Sequence, residues 1–493
     1  MKSKKRHADR LSTLPDEMLQ HILSHLTSEE AVQTSLLSHR WRDVYAGVPV
    51  VDLLDPKSGR NKQEQLVCFD QQVTGAILCK SPGTPISTFR LNAFSPPRDL
   101  LDQWILIAMS SGVEEIDVKL RYLHCSRRRL CPFGSSNKAS ADFDQHERKS
   151  YVKTQHHLFR CPTLRCLRLA NWTLDLPPGG VAMLATLDTL CLVRIMDPKD
   201  QLQHLLSSCP HLTHLTLQEC PSLTDITVTS ARLKSFAMIC CHHARRVELS
   251  SHRLQLLQYK GGLLPHNSLF KLADHAGVVA LKIEICQDLS DKEPTEFAPA
   301  TQLIKGCTKL AHLHLSLRPS MDHCSSFFFT DVLPCMQHLR QLGLQCCFRN
   351  DNDVRSVAVL LGETENLEVL SLFPLGSETQ KDVGTWYWSD SESDTEPEDG
   401  GGDGVDYSSR VTDGFWPTHI RCLDDKLRRI NIWNYRGLQL EKMLAKFLLS
   451  KAAALEEFSV TLTAGCSQNK SKIAKEVRSW RMNHHTRVTV NRC

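Results

Sequence analysis

A chain of 493 residues is longer than one small hydrophobic core serves, and it points to two or three structural units or to one elongated repeat array. Its 59 basic and 55 acidic residues leave a net charge of +4, which argues against the one-signed basic face of a dedicated nucleic-acid binder. The 20 cysteines include no C-x-x-C pair and follow no recognisable signal peptide, so the expectation is reduced intracellular thiols in the nucleus or cytoplasm; no apolar run approaches the roughly 20 residues of a membrane span.

Residues 1–8 carry Lys2, Lys4, Lys5 and Arg6, a basic cluster expected to be solvated and disordered, with nuclear import as the sharper alternative. Residues 9–50 then read as a compact helical module. Pro15 fits the first turn of a helix, because its missing N–H is one that turn leaves unpaired, and Asp16 and Glu17 complement the positive end of the dipole. Leu19, Ile22, Leu23 and Leu26 fall at i, i+3, i+4 and i+7 and predict a single apolar stripe. Thr27 and Glu30 have capping-box spacing, predicting a second helix that turns Ala31 and Val32 inward. Leu37, Trp41, Val44, Tyr45 and Val48 keep helical spacing for a third helix. A module of about 40 residues closes only a small core, so leftover apolar surface is expected to meet a partner.

In this order Leu14-Pro15, Ile22-Leu23, Leu26, Ser35-Leu36-Leu37-Ser38 and Trp41 resemble the defining residues of an F-box. The resemblance implies docking on a Skp-type adaptor and, through it, on a cullin. It also implies an adaptor-binding set of Leu14, Pro15, Ile22, Leu23, Leu26 and Leu37, with Trp41 anchoring the third helix.

After the module, Val50, Val51, Leu53 and Leu54 suggest a strand, followed by a helix through Phe69 and Val73. From residue 84 to 375 one pattern recurs: apolar, two variable positions, apolar, one variable position, apolar. Ile86-Phe89-Leu91, Leu187-Leu190-Leu192, Val278-Leu281-Ile283 and Leu367-Leu370-Leu372 are examples, and the spacing of about 21 to 32 residues is that of leucine-rich repeats. Cys161-Pro162-Thr163-Leu164, Cys209-Pro210-His211-Leu212 and Cys307-Thr308-Lys309-Leu310 share a lead-in to the triplet. Such repeats bury their apolar side only by stacking, so the fold class expected is α/β: a three-helix F-box followed by a curved solenoid with parallel strands. Residues alternating with the triplets should face outward and offer a protein-binding surface: Arg168, His214, Thr216, Lys282, Glu284, His312, His314, Gln341, Arg429, Asn431 and Trp433.

Two stretches interrupt the pattern. Residues 120–152, with Arg127, Arg128 and Arg129, read as a surface insertion. Residues 376–414 hold an acidic, low-hydrophobicity tract expected to be disordered, in which Ser389, Ser391, Ser393 and Thr395 each precede an acid by three residues, as acidophilic kinases prefer. From 420 to 490 a strand, a helix carrying Met443, Leu444, Phe447 and Leu448 inward, and a second strand suggest a terminal cap. That segment resembles the FBD region, so the chain as a whole is similar to the plant F-box/leucine-rich-repeat/FBD family. The resemblance implies a non-catalytic substrate-recognition subunit of a ubiquitin ligase; a repeat scaffold without that role, and a salt-sensitive nucleic-acid binder using the basic segments, are the rival readings.

No phosphate-binding loop, nucleophile elbow or H-E-x-x-H helix occurs, so no catalytic residue or cofactor is expected. Cys240-Cys241-His242-His243 invites a metal, but adjacent residues diverge and no second cluster has zinc-finger spacing. The four are therefore read as core and loop residues, His312 and His314 as surface residues, and no metal is expected.

Overall fold

The computed structural model describes residues 10–55, 62–81, 83–122, 131, 151–178, 184–265, 269–286, 294–316, 336–346, 348, 351–374, 419–463, 470–481 and 483–492. The amino-terminal basic cluster, Arg127 to Arg129 and the acidic tract with Ser389, Ser391, Ser393 and Thr395 lie outside them. The chain divides into two units. The first holds residues 1–128 and 141–233; the second holds 129–140 and everything from Lys234 onward.

The first unit opens with the helical module: α1 (Asp16–Leu23), α2 (Ser28–Gln33), a single 3-10 turn over Thr34–Leu36, and α3 (His39–Ala46). The Thr27 capping box forms as its sequence predicts. Thr27 Oγ1 accepts the Glu30 N–H at 3.3 Å, and the Glu30 carboxylate accepts the Thr27 N–H at 3.1 Å, satisfying two groups that the helix end leaves open. Ser38 caps α3 through the Trp41 N–H, so Leu37 stands before the helix rather than on it. Ser28 Oγ accepts the Asp52 N–H at 2.8 Å and joins the module to β1 (Val50–Leu54), the strand expected there.

Beyond it run β2 (Thr88–Phe94), β3 (Glu115–Arg121), β4 (Cys166–Ala170), β5 (Thr189–Val193) and β6 (His214–Gln218), each parallel to the one before it. The triplets set this register: Phe89, Ile116, Leu167, Leu190 and Leu215 are successive Cα partners, and all are buried. Helix α4 (Lys62–Leu78) returns β1 to β2, and Arg98–Ser110 forms α5 between β2 and β3. A short strand, β7 (Asp225–Val228), follows β6.

The second unit repeats the scheme with β8 (Ser235–Ile239), β10 (Leu256–Gly261), β12 (Ala280–Ile285), β13 (His312–Ser316), β14 (Gln341–Cys346), β15 (Val369–Pro374), β16 (Arg429–Tyr435), β17 (Glu457–Leu462) and β18 (Arg487–Arg492), all parallel and in sequence order. Phe236, Leu257, Leu281, Leu313, Leu342, Leu370, Ile430 and Phe458 form one buried row through it. Two short strands, β9 (Arg246–Leu249) and β11 (Phe270–Leu272), pair in the return segments, which the triplet pattern does not announce. The expected fold class, a three-helix module followed by a long parallel sheet, is the one observed.

Strands end in a common way. The residue after β2, β4, β5, β6 and β8 (Ser95, Asn171, Arg194, Glu219 and Cys240) has positive φ, which turns the chain out of the ladder into its return segment. In the carboxy-terminal part Gly437, at φ 76°, makes a tight turn, and the buried Glu441 carboxylate accepts the N–H groups of Arg436, Gly437 and Leu438 at 2.8, 2.9 and 3.3 Å. Those bonds start the helix Gln439–Lys451, whose Leu444, Phe447 and Leu448 are buried as its spacing predicts, while Met443 is half-buried. Among the described residues, no helix is long and apolar enough to cross a membrane.

Candidate functional site

The helical module closes a core of Leu19, Leu23, Ala31, Trp41, Val44, Tyr45 and Val48, with Leu14 and Val50 packed against it. The single apolar stripe expected on α1 therefore splits in two. Leu19 and Leu23 point into the core, whereas Ile22 (42% exposed) and Leu26 (36%) stay at the surface with Met18. Leu23, expected in the adaptor-binding set, is 3% exposed and packs in the core instead, and Trp41, expected to anchor the third helix, is 7% exposed in that same core. Val32, expected inward, is exposed; only Ala31 of that pair is buried. Leu36 (82%) and Leu37 (67%) are the most exposed, because the 3-10 turn lifts them off the core before Ser38 begins α3.

The Leu14-Pro15 segment is fixed by an arginine of α3. Arg40 pairs with Asp16 at 2.7 Å and donates to the carbonyls of Ser12 and Leu14, so the entry into α1 is tied to α3. Pro15 itself is exposed and Leu14 half-buried. Of the fifteen exposed large hydrophobic residues among the described ones, seven (Leu11, Met18, Ile22, Leu26, Val32, Leu36 and Leu37) come from this module. So dense an apolar surface on so small a unit is what a partner covers.

The strands carry the second candidate surface, opposite their buried rows. In the first unit Asp52, Arg90, Asp117, Arg168, Cys191 and Thr216 are successive register partners. Arg90 meets Asp52 at 3.6 Å and Glu115 at 3.3 Å, and Arg168 meets Glu115 at 2.5 Å, so this row is a self-compensating charge network. Burial pushes the Asp117 carboxyl up to about 6, against the pull of Arg168. Arg168 and Thr216 are half-buried and His214 is exposed.

In the second unit Lys282, His314, Gly343, Ser371 and Asn431 are register partners on the same side. Glu284, expected to be accessible, is 5% exposed: Lys260 covers it at 2.9 Å and Lys282 at 2.7 Å, and these two cations hold its carboxyl down at about 2 although burial opposes them. His312, Gln341, Arg429 and Trp433 are exposed; Lys282, His314 and Asn431 are half-buried. Burial, reinforced by Lys282, lowers His314 to about 4. Its ring meets Phe373 edge-on at 5.3 Å, and Phe373 stacks on Trp433 at 6.1 Å with planes 5° apart. Gly343 makes room for this: a Cβ there would stand 2.4 Å from His314 Nδ1. The sequence reading missed Phe373 because it follows the triplet Leu367-Leu370-Leu372 by one position. Its alternation with Leu372 was the available signal.

Comparison with known proteins finds two family matches. Residues 11–44 match the F-box domain, and residues 142–271 match the leucine-rich repeats described for the FBD-associated F-box protein At5g56370. The chain carries an F-box and leucine-rich repeats. Its relatives in Arabidopsis thaliana include F-box protein At3g59000, 25% identical over 385 residues (73% of this chain and 72% of that one). The putative F-box/LRR-repeat protein At3g58920 is 23% identical over 95% of this chain and 96% of its own. The putative F-box/LRR-repeat protein At3g58880 is 30% identical over 47% of each. The F-box match includes the exposed Leu36 and Leu37. The repeat match covers β4 to β11, from the Arg168 row to the start of the second unit.

Proposed function

We propose that the protein is the substrate-recognition subunit of a Skp-cullin-F-box ubiquitin ligase. In this reading the F-box docks a Skp-type adaptor with Pro15, Ile22, Leu26 and Leu37 of the expected set, joined by Met18 and Leu36 and flanked by Leu14. Leu23 and Trp41 act from beneath by fixing the helices. The observation that carries the reading is the seven exposed hydrophobic residues on a module whose own core is already closed, since burying such side chains stabilises a complex by roughly 25 cal/mol per Å² of apolar surface.

The outward strand positions bind a protein substrate, with Trp433, Phe373 and His314 as the aromatic part of the patch and Lys282 at its edge. Stacked aromatics that keep one face exposed make strong interface anchors. Arg168, His214, Thr216, His312, Gln341, Arg429 and Asn431 contribute polar contacts around such anchors. Ubiquitin transfer belongs to other subunits, and phosphorylation at Ser389, Ser391, Ser393 and Thr395 adds negative charge that modulates recognition.

The test is co-purification of the full chain with a recombinant Skp-type adaptor and cullin, with Ile22→Glu/Leu37→Glu as the control. Capture by the wild type and loss in the variant support the proposal. Equal capture of both, or of neither, overturns it and leaves a repeat scaffold without a ligase role.

A further inference from the structure

Several thiols of the repeats bond to backbone carbonyls. Cys209 and Cys307 donate to the carbonyls of Leu205 and Leu303 in the helix before their strands, and Cys422 donates to that of Leu361. One group differs. Cys131, Cys240, His242 and Cys286, all within the second unit, bring their donor atoms within 4.8 Å of one another, and among the described residues this is the one such set of three or more metal-binding side chains.

The fold builds the group from two strand ends. Cys240 follows β8 and donates its N–H to the Lys260 carbonyl at 2.6 Å; Cys286 follows β12 and donates to that of Gly261 at 2.7 Å. Strand β10 lies between them, so both ladders extend one residue past their strands and lean over the same strand end. The positive φ of Cys240 is the exit conformation shared with Asn171, Arg194 and Glu219, hence a property of the repeat that happens here to carry a thiol. His242, two residues on, lies in the turn closed by the Ala244 N–H to the Cys241 carbonyl. Cys241 itself points back toward the Ile239 carbonyl, and His243 is exposed. Cys131 comes from the insertion between β3 and β4. The reading of Cys240 and His242 as ordinary core and loop residues failed to anticipate this meeting, because its members are far apart in the chain and follow no zinc-finger spacing.

We propose that these four side chains bind one zinc ion as a closed Cys3His site. Cys240 Sγ and Cys286 Sγ are 3.8 Å apart. That is far beyond the roughly 2.05 Å of a disulfide and equals the separation of two sulfurs on a tetrahedral zinc with bonds of about 2.3 Å. Three sulfurs with one imidazole select a soft or borderline ion, and zinc favours such a set without redox chemistry. Binding releases the thiol protons to solvent and leaves an inner shell of net charge −1. Four protein donors leave no open position for substrate, so the ion is structural: it pins Cys131 to the ends of β8 and β12.

The test uses the full-length chain purified without chelator from zinc-supplemented cells. Elemental analysis should find about one zinc per chain in the wild type and in Cys307→Ser, and none in Cys131→Ser or Cys286→Ser. Cobalt replacement should give the visible absorption of tetrahedral thiolate coordination in the same two proteins alone. A wild-type measurement guards against variants that fail to fold: Cys131, Cys240 and Cys286 should resist alkylation until a chelator is added, while the exposed Cys79 reacts throughout. Zinc-free wild type, zinc retained in Cys131→Ser and Cys286→Ser, a disulfide between any two of the three cysteines, or alkylation indifferent to chelator would each overturn the site.

Discussion

The F-box and the strands of the repeats treat apolar side chains in opposite ways. On α1, Leu19 and Leu23 are buried while Met18, Ile22 and Leu26 of the same short stretch remain at the surface. On β2 and β3 each second residue is buried without exception, and the alternating residues, Thr88, Arg90, Asn92, Phe94, Glu115, Asp117, Lys119 and Arg121, are half-buried and mostly polar. A strand has two sides and a period of two, so hydrophobic pattern and burial coincide. A helix presents a continuous circumference, and a stripe wider than its neighbours can cover leaves an edge for something else. Among the described residues, exposed large hydrophobic residues accordingly gather in the F-box, while on the strands they are reduced to Leu54, Leu256 and Trp433.

That contrast is most severely tested inside the F-box core. Trp41→Ala should lower the module's stability by roughly 3–5 kcal/mol, read as faster hydrogen exchange across residues 14–48, with adaptor capture falling in parallel. In the strands, Leu190→Ala should cost roughly 2–5 kcal/mol in chemical unfolding, whereas Cys191→Ala, the next residue on the other side, should stay within about 0.5 kcal/mol. Equal costs would contradict the strict alternation. The surface pair Ile22→Glu/Leu37→Glu should weaken adaptor binding by about 2 kcal/mol or more, roughly 30-fold, in calorimetry, with unchanged thermal unfolding. A matching loss of stability would show that these side chains support the core.

Acid separates the two units. His314 titrates at about 4 when folded against 6.5 when free, so between those values the unfolded chain binds the extra proton, and the second unit loses stability as pH falls from 6.5 to 4. Glu284, held at about 2 against 4.5, extends the loss below pH 4.5. Asp117 has the opposite sign. Folded, it titrates at about 6 against 3.8, so it binds its proton more tightly in the native first unit and stabilises that unit as pH falls from 6 to 3.8. His314→Gln should flatten the second unit's loss between pH 6.5 and 4 in hydrogen exchange, and Asp117→Asn should remove the first unit's gain. The smallest expected effect is at a cap: Thr27→Ala should cost about 1 kcal/mol of F-box stability without changing adaptor contacts.

Most of the strand architecture was legible because a triplet such as Leu187-Leu190-Leu192 specifies both the strand and its buried side. The Thr27–Glu30 box was legible because its bonds are local. The exposed apolar surface of the F-box was legible only in outline. Arg40 takes its role only from Asp16 and the Ser12 and Leu14 carbonyls around it, which its own position in the sequence does not announce. Phe373 gained its meaning from His314 and Trp433 on other strands.

From the chain of letters alone come the helical module, its capping box, the parallel strands and the sides their residues take, since these depend on periodicity over a few neighbouring positions. Only the tertiary structure decided which of Leu19, Ile22, Leu23 and Leu26 are sealed and which are offered, and that Cys131 meets Cys240, His242 and Cys286. Those outcomes depend on which elements pack against a surface, and packing joins residues whose separation along the chain carries no repeating signal.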